Sequence, residues 1–362
     1  MKLVNTSYSS SDVTILLKDI SGLITPLSTE EREKLNQSGV HYSEMLPLEY
    51  KPTEQYMKIY YEALETLSYK TANATAILAD KLYAKYGNKL VLVSLARAGT
   101  PIGILVKRFL EYKYYFNVPH YSISIIRGKG IDENAVNYIV NQHGSFGIQF
   151  LDGWIGKGAI NEVLFEACQT LKGRSPKFAN LNPTLAVLSD PAFITNLCGT
   201  HEDFLIPSAC LNATVSGLIS RTFLRSDLIG PHDFHGAVYY SELESEDKSN
   251  EFIAEVCRYF PHIDDQYFHE THAQQAITGM EEVKRIAQTF GLTDISKIKP
   301  GVGETTRVLL RRIPYCVLIR KGENIQNFPH IQRLCEEKNI PIKEYPLQTY
   351  QVCGIIKNLS DI

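Results

Sequence analysis

The segment Phe150-Leu151-Asp152-Gly153-Trp154-Ile155-Gly156-Lys157-Gly158-Ala159-Ile160 combines the residue types that hold an anion. An apolar run ends on a carboxylate, a Gly-rich turn carrying a lysine follows, and helix-forming residues come next. Glycines at 153, 156 and 158 let backbone N–H groups approach a ligand, and a helix N-terminus adds partial positive charge. Lys157 adds a full charge, and Asp152 suits ribose hydroxyls or a metal ion. The spacing is not that of a Walker loop, which has four residues between glycine and Gly-Lys and a Ser or Thr after the lysine. Residues 94–101, Ser-Leu-Ala-Arg-Ala-Gly-Thr-Pro, also follow an apolar run and open a helix. There Arg97 supplies a fork-shaped donor matched to phosphate oxygens, with Ala98 and Gly99 beside it. A third basic turn, Arg127-Gly128-Lys129-Gly130, suits a lid. In open α/β sheets ligands sit beyond the C-terminal ends of the strands, so loops 94–101 and 152–160 are expected side by side there. The competing explanation for each loop is a tight turn whose glycines serve packing.

A second chemistry starts from Cys210, in Pro207-Ser208-Ala209-Cys210-Leu211-Asn212-Ala213-Thr214. A thiol at a helix N-terminus is acidified and becomes a nucleophile if a base is near. His41, His232 and His235 are available, with His235 the first choice and Asp233 an orienting group. The competing explanation is a small buried residue. His262, Asp264, Asp265, His269 and His272 cluster in sequence without a His-Glu-x-x-His pattern, and read as a polar surface rather than a metal site.

These groups need positioning elements. Apolar segments at 90–94, 120–126, 147–151, 184–189 and 204–207 read as strands, and residues 54–85, 102–115, 158–171 and 211–224 as helices. Their alternation predicts an α/β fold, a mostly parallel sheet with helices on both faces. Residues 1–55 read as an N-terminal extension, 56–255 as the main domain, 256–296 as a helical linker and 297–362 as a small α/β domain. No apolar run reaches the roughly 18 residues that span a membrane. The N-terminus lacks a signal-peptide pattern and no Cys-x-x-Cys occurs, so reduced thiols in a cytoplasmic protein are expected.

The tail opens on Lys299-Pro300-Gly301-Val302-Gly303-Glu304-Thr305-Thr306-Arg307-Val308-Leu309-Leu310-Arg311-Arg312, a Gly-rich turn entering a basic helix. Residues 297–362 hold 11 Lys plus Arg against 6 Asp plus Glu, or +5, which leaves −8 for the rest of a chain at −3. A basic tail on an acidic body suits a polyanion partner for the tail. Its αβαβ order and helix start resemble the Pelota-type members of the kink-turn RNA-binding superfamily. That resemblance implies a structured RNA partner, with contacts from Gly301, Gly303, Glu304, Thr305 and Arg307, and with Arg311 a turn further on. The turn at 301–304 is then expected to be exposed on a separately folded unit.

The body resembles type I phosphoribosyltransferases, and specifically the phosphoribosyltransferase-like family also catalogued as the cysteine protease StiP family of tellurite-resistance and stress-response gene clusters. His41-Tyr42-Ser43-Glu44-Met45, Asp152-Gly153-Trp154 and the segment around Cys210 carry the likeness. It implies a ribose-phosphate or nucleotide ligand, with phosphoribosyl pyrophosphate as substrate and Mg²⁺ as a candidate companion. Arg97, Ala98, Gly99, Gly153, Gly156 and Gly158 would bind it, and Asp152 and Lys157 would act on it. The sequence departs from the transferase pattern, since Gly153 replaces the second acid and no hydroxyl lies in 156–159. The leading expectation is therefore a phosphoribosyltransferase-like body with an RNA-binding tail. A cysteine protease or hydrolase using Cys210 and a histidine is one alternative, and a non-catalytic nucleotide-sensing RNA regulator is the other.

Overall fold

A computed structural model describes residues 1–264, 277–311 and 314–356. The body begins with β1 (Thr14–Ile15), β2 (Lys18–Asp19) and α1 (Thr29–Gln37), followed by the 33-residue helix α2 (Glu54–Tyr86). Then come β3 (Val91–Ala96), α3 (Gly99–Tyr114), β4 (His120–Ile126), β5 (Gly130–Ile131), α4 (Glu133–His143), β6 (Ile148–Trp154) and α5 (Ala159–Arg174). β7 (Ala186–Ser189), β8 (Cys198–Thr200), β9 (Gly236–Ala237) and α6 (Ser249–Cys257) complete it. The main sheet runs β1-β4-β3-β6-β7-β8 with every pair parallel, and β5 folds back on β4.

Parallel strands covered on both faces need apolar residues on both sides, and β3 supplies them. Leu92 points to the core made with α2, α3 and α6, while Val91, Val93 and Leu95 point to the core made with α4 and α5. Within residues 1–55, Thr14 pairs with Tyr121 and makes β1 a short edge strand of this sheet. Residues 204–207 form no strand, and 211–224 hold a single 3₁₀ turn, Ala213–Val215, in place of an α-helix. That stretch is irregular, with Gly217 at φ +74 and Leu218 at φ +57, and it feeds a satellite core of Leu46, Ala213, Leu218, Phe223, Val238 and Tyr240.

The tail comprises α7 (Gly279–Phe290), β10 (Ile298–Pro300), α8 (Val302–Arg311), β11 (Cys316–Arg320), α9 (Pro329–Glu337), β12 (Ile342–Tyr345) and β13 (Val352–Ile355), with sheet order β10-β13-β11-β12. Buried Glu282 of α7 accepts the N–H groups of Thr349 (2.8 Å) and Tyr350 (3.3 Å), and that of Gln348 as well. The tail does not stand apart from the body. Tyr56 donates to the Leu310 carbonyl, Arg333 grips Glu62, and tail residues share the apolar cores of both sheet faces. Among the described residues no helix is long and apolar enough to cross a membrane, and no group of three or more His, Cys, Asp or Glu is placed to hold a metal. Asp265, His269 and His272 lie outside the described residues.

Candidate active site

Loops 94–101 and 152–160 do lie together. A Cβ on Gly99 would sit 2.7 Å from the Leu151 carbonyl and 3.1 Å from Asp152 Cα, so this glycine permits backbone packing. The cationic groups, however, are engaged within the chain. Lys157 donates to the carbonyls of Ile295 (2.8 Å) and Ile298 (2.9 Å), and Tyr350 donates to that of Gly156 (2.6 Å). The Glu304 side chain lies over Gly156, and Gly158 takes φ +88 at the start of α5 beside Ile194. Arg97 donates to the Ile219 carbonyl at 3.1 Å and lies 3.6 Å from Glu49. What remains between the loops is a cavity of about 160 Å³ lined by Arg97, Ala98, Asp152, Trp154, Asn212 and Arg307. Burial raises the Asp152 carboxyl to about 7, with the Gly153 N–H and Arg307 opposing the rise.

The turn at 301–304 is sealed on the body, so the expected exposed RNA loop is corrected. Gly301 and Gly303 are buried, Gly303 against Trp154 and Ala209. Arg307 stacks its guanidinium 5.7 Å from the Trp154 ring centre, and Arg311 donates to Asn212 Oδ1 at 2.6 Å. Thr305 is used inside the tail, donating to the Lys299 carbonyl and accepting from the Gly354 N–H. Arg312 lies outside the described residues.

Cys210 and His235 are not hydrogen-bonded to one another. Cys210 closes a 3₁₀ turn, Pro207–Cys210, so no α-helix N-terminus acidifies it. It is fully buried, and burial pushes its thiol up to about 12. The His235 Nδ1 lies 2.8 Å from Ser124 Oγ, and its backbone N–H donates to Asp132 at 2.6 Å. His41 spans Ser43 and the Arg127 carbonyl, and Asp233 pairs with Lys18.

A different cysteine meets a histidine. Cys198, the first residue of β8, has its sulfur 3.5 Å from His201 Nε2. His201 Nδ1 lies 2.7 Å from the Asp190 carbonyl oxygen. A carbonyl can only accept, so this contact assigns the proton to Nδ1 and leaves Nε2 as an acceptor facing the thiol. Asp190 follows β7, and its carboxylate lies 3.8 Å from the same Nδ1. Oδ2 of that carboxylate accepts from Ile194 and Thr195, both at 2.7 Å, while buried Oδ1 has no partner. Burial raises the Asp190 carboxyl, opposed by these N–H groups and His201. The parallel register of β7 and β8, with Ser189 opposite Thr200, brings Asp190 and His201 together at the strand ends. Lys81 of α2 anchors the Cys198 carbonyl at 2.8 Å. Burial pushes the Cys198 thiol up to about 12, and the Lys81 cation opposes this. Sequence reasoning missed the constellation. Its one visible signal is Cys198-Gly199-Thr200-His201, in which a three-residue strand is too short to show periodicity.

Fold and site define an α/β protein with a thiol–imidazole–carboxylate group at the end of a parallel sheet. The model of the family described as tellurite-like stress resistance cysteine protease StiP matches residues 6–257, and the chain belongs to that family. A cysteine protease StiP from Acinetobacter baylyi (strain ATCC 33305 / BD413 / ADP1) is 35% identical over 331 residues, spanning 88% of this chain and 85% of that protein. The model described as the PELOTA RNA binding domain matches residues 277–358, which takes in α7. No solved structure matches. These relatives overturn the phosphoribosyltransferase assignment, and with it the phosphoribosyl pyrophosphate substrate and Mg²⁺. The physical reason is local, because the lysine expected to face a phosphate is bound to the tail, and the Gly156 turn is held there through its carbonyl.

Proposed function

We propose that the chain is a cysteine hydrolase of the peptidase type in which Cys198 is the nucleophile, His201 the general base and Asp190 its orienting partner. The observation that carries this reading is the 3.5 Å approach of Cys198 Sγ to the acceptor nitrogen of His201. Family membership supports the reaction class. In the first step the thiol proton passes to His201 Nε2 as sulfur bonds to the peptide carbonyl carbon. The resulting imidazolium carries protons on both nitrogens and is steadied by the Asp190 carbonyl and carboxylate. It returns one proton to the leaving amine as the C–N bond breaks, giving a thioester. Water, deprotonated by the same nitrogen, then releases the acid and restores the thiol. The tail's match to an RNA-binding domain supports RNA as a partner of residues 277–358. With the 301–304 turn packed away, contact falls to exposed cations such as Lys284, Arg285, Lys321 and Lys343.

The test is hydrolysis of fluorogenic casein by the full chain and by Cys198→Ala, His201→Ala and Cys210→Ala. The first two variants should lose activity by about 10³-fold or more, as expected when one member of a nucleophile–base unit is removed, and the third should retain it. Retained activity in Cys198→Ala with loss in Cys210→Ala would transfer the role to Cys210.

A further inference from the structure

The segment that carries His201 is hydrogen-bonded to the tail. Two residues on, Asp203 Oδ1 accepts the N–H of Val302, first residue of α8, at 2.7 Å. Its Oδ2 accepts the N–H of Gln351, just ahead of β13, at 2.8 Å. Gly301, at φ +90, admits this approach, since a Cβ there would lie 3.0 Å from Oδ1. On its other side the segment is tied to the end of β7. Asp190 N–H donates to the Thr200 carbonyl (2.9 Å), and Ser189 Oγ donates to that of Glu202 (2.7 Å). His201 is thus suspended between the sheet, through Ser189 and Asp190, and the tail, through Asp203. A carboxylate on a helix N-terminus is held both by hydrogen bonds and by the helix dipole, so the tail end of this suspension is firm.

We propose that Asp203 is a positioning residue through which seating of the tail on the body sets the Cys198–His201 pair, so that hydrolysis is under the control of tail docking. This rests on the reading of Cys198 and His201 as the hydrolytic pair. With Asp203 released from α8, segment 201–203 loses its tie to the helix start while keeping those to β7 and to Lys70, and the imidazole is held less closely against the sulfur. The tail then acts as a switch on the body: seated, it completes the site, and lifted, it disables it.

The test uses the full chain with two substitutions that break the clamp from opposite sides. Asp203→Asn keeps the shape but turns an amide NH₂ toward one of the two N–H donors. Val302→Pro removes the donor at the first helical position, where proline is tolerated, and leaves the carboxylate in place. Glu62→Gln, which loosens the Arg333 contact elsewhere on the same interface, is the control. Fluorogenic casein hydrolysis and the pH profile of Cys198 alkylation by iodoacetamide, followed by peptide mass spectrometry, are the readouts. Both clamp variants should lower kcat by about tenfold to a hundredfold with KM little changed, the cost of a misplaced catalytic group. They should also move the alkylation profile, whereas Glu62→Gln should move neither. Wild-type kcat and an unchanged profile in a folded Val302→Pro would overturn the proposal while Cys198→Ala remains inactive. Full activity in Cys198→Ala would instead remove the hydrolytic reading and this inference together.

Discussion

The Phe193 ring lies flat on the His201 imidazole, with ring centres 4.2 Å apart and planes 5° from parallel. Phe193 holds this place with φ +55, a backbone region that costs a bulky residue energy and that clusters at functional sites. Cys198, which meets the same imidazole through its sulfur, is 1% exposed. Phe193 therefore covers one face of the histidine whose Nε2 meets the Cys198 sulfur.

Replacing Phe193 by Gly should both relieve the positive φ and uncover the pair. Iodoacetamide should then modify Cys198 faster than in the natural chain, while the rates of buried Cys168 and Cys353 stay put. Uniform acceleration of all three would mean general loosening, and no acceleration would mean that the Phe193 ring does not shield the pair.

Asp152 makes stability depend on pH in a specific direction. Its carboxyl is raised from 3.8 to about 7, so the folded protein binds a proton that the unfolded chain has released. Stability from this group is full below about pH 4 and falls as pH rises through about 7. Asp152→Asn removes the penalty. In urea titrations the variant should gain up to about 4 kcal/mol over the parent at pH 8 and less than half of that at pH 5. An equal gain at both pH values would show that Asp152 does not titrate in this range.

RNA binding by the full chain should weaken steeply as salt rises, since exposed lysines and arginines would release counterions. Arg307→Glu is a poor probe of it. That side chain stacks on Trp154, so the substitution should cost about 1–3 kcal/mol of stability through lost packing and a stranded charge. Lys321→Glu combined with Lys343→Glu, both at exposed positions, should weaken RNA binding with the melting temperature unchanged. If the natural chain binds a structured RNA at low salt no better than an acidic control protein does, the RNA assignment fails.

The sheet was legible where apolar runs were long. The strand expected at 120–126 is β4, and the α/β alternation gave the parallel architecture. The region from 198 to 224 was not legible, for two reasons. β8 is three residues long, so no pattern marks it, and Cys198 came into view only once pairing with β7 placed Asp190 and His201 together. Residues 211–224 carry apolar spacing that suits a helix, yet they pack as loops into a satellite core, where tertiary contacts override local preference. The glycines at 301 and 303 misled in the opposite sense. Their sequence setting suits amides bared for a phosphate, whereas a protein carboxylate and an indole ring occupy the space they leave.

Glu282 bears on how the C-terminal unit travels as a piece. Its carboxylate closes the loop ahead of β13 by accepting three successive backbone N–H groups. A fragment cut at Lys297 would carry those three donors into solvent without their acceptor and would lose α7 from beneath the sheet. Grafting, or gene fusion in evolution, would have to take the chain from Thr278 onward, where a capping box formed with Glu281 already starts α7.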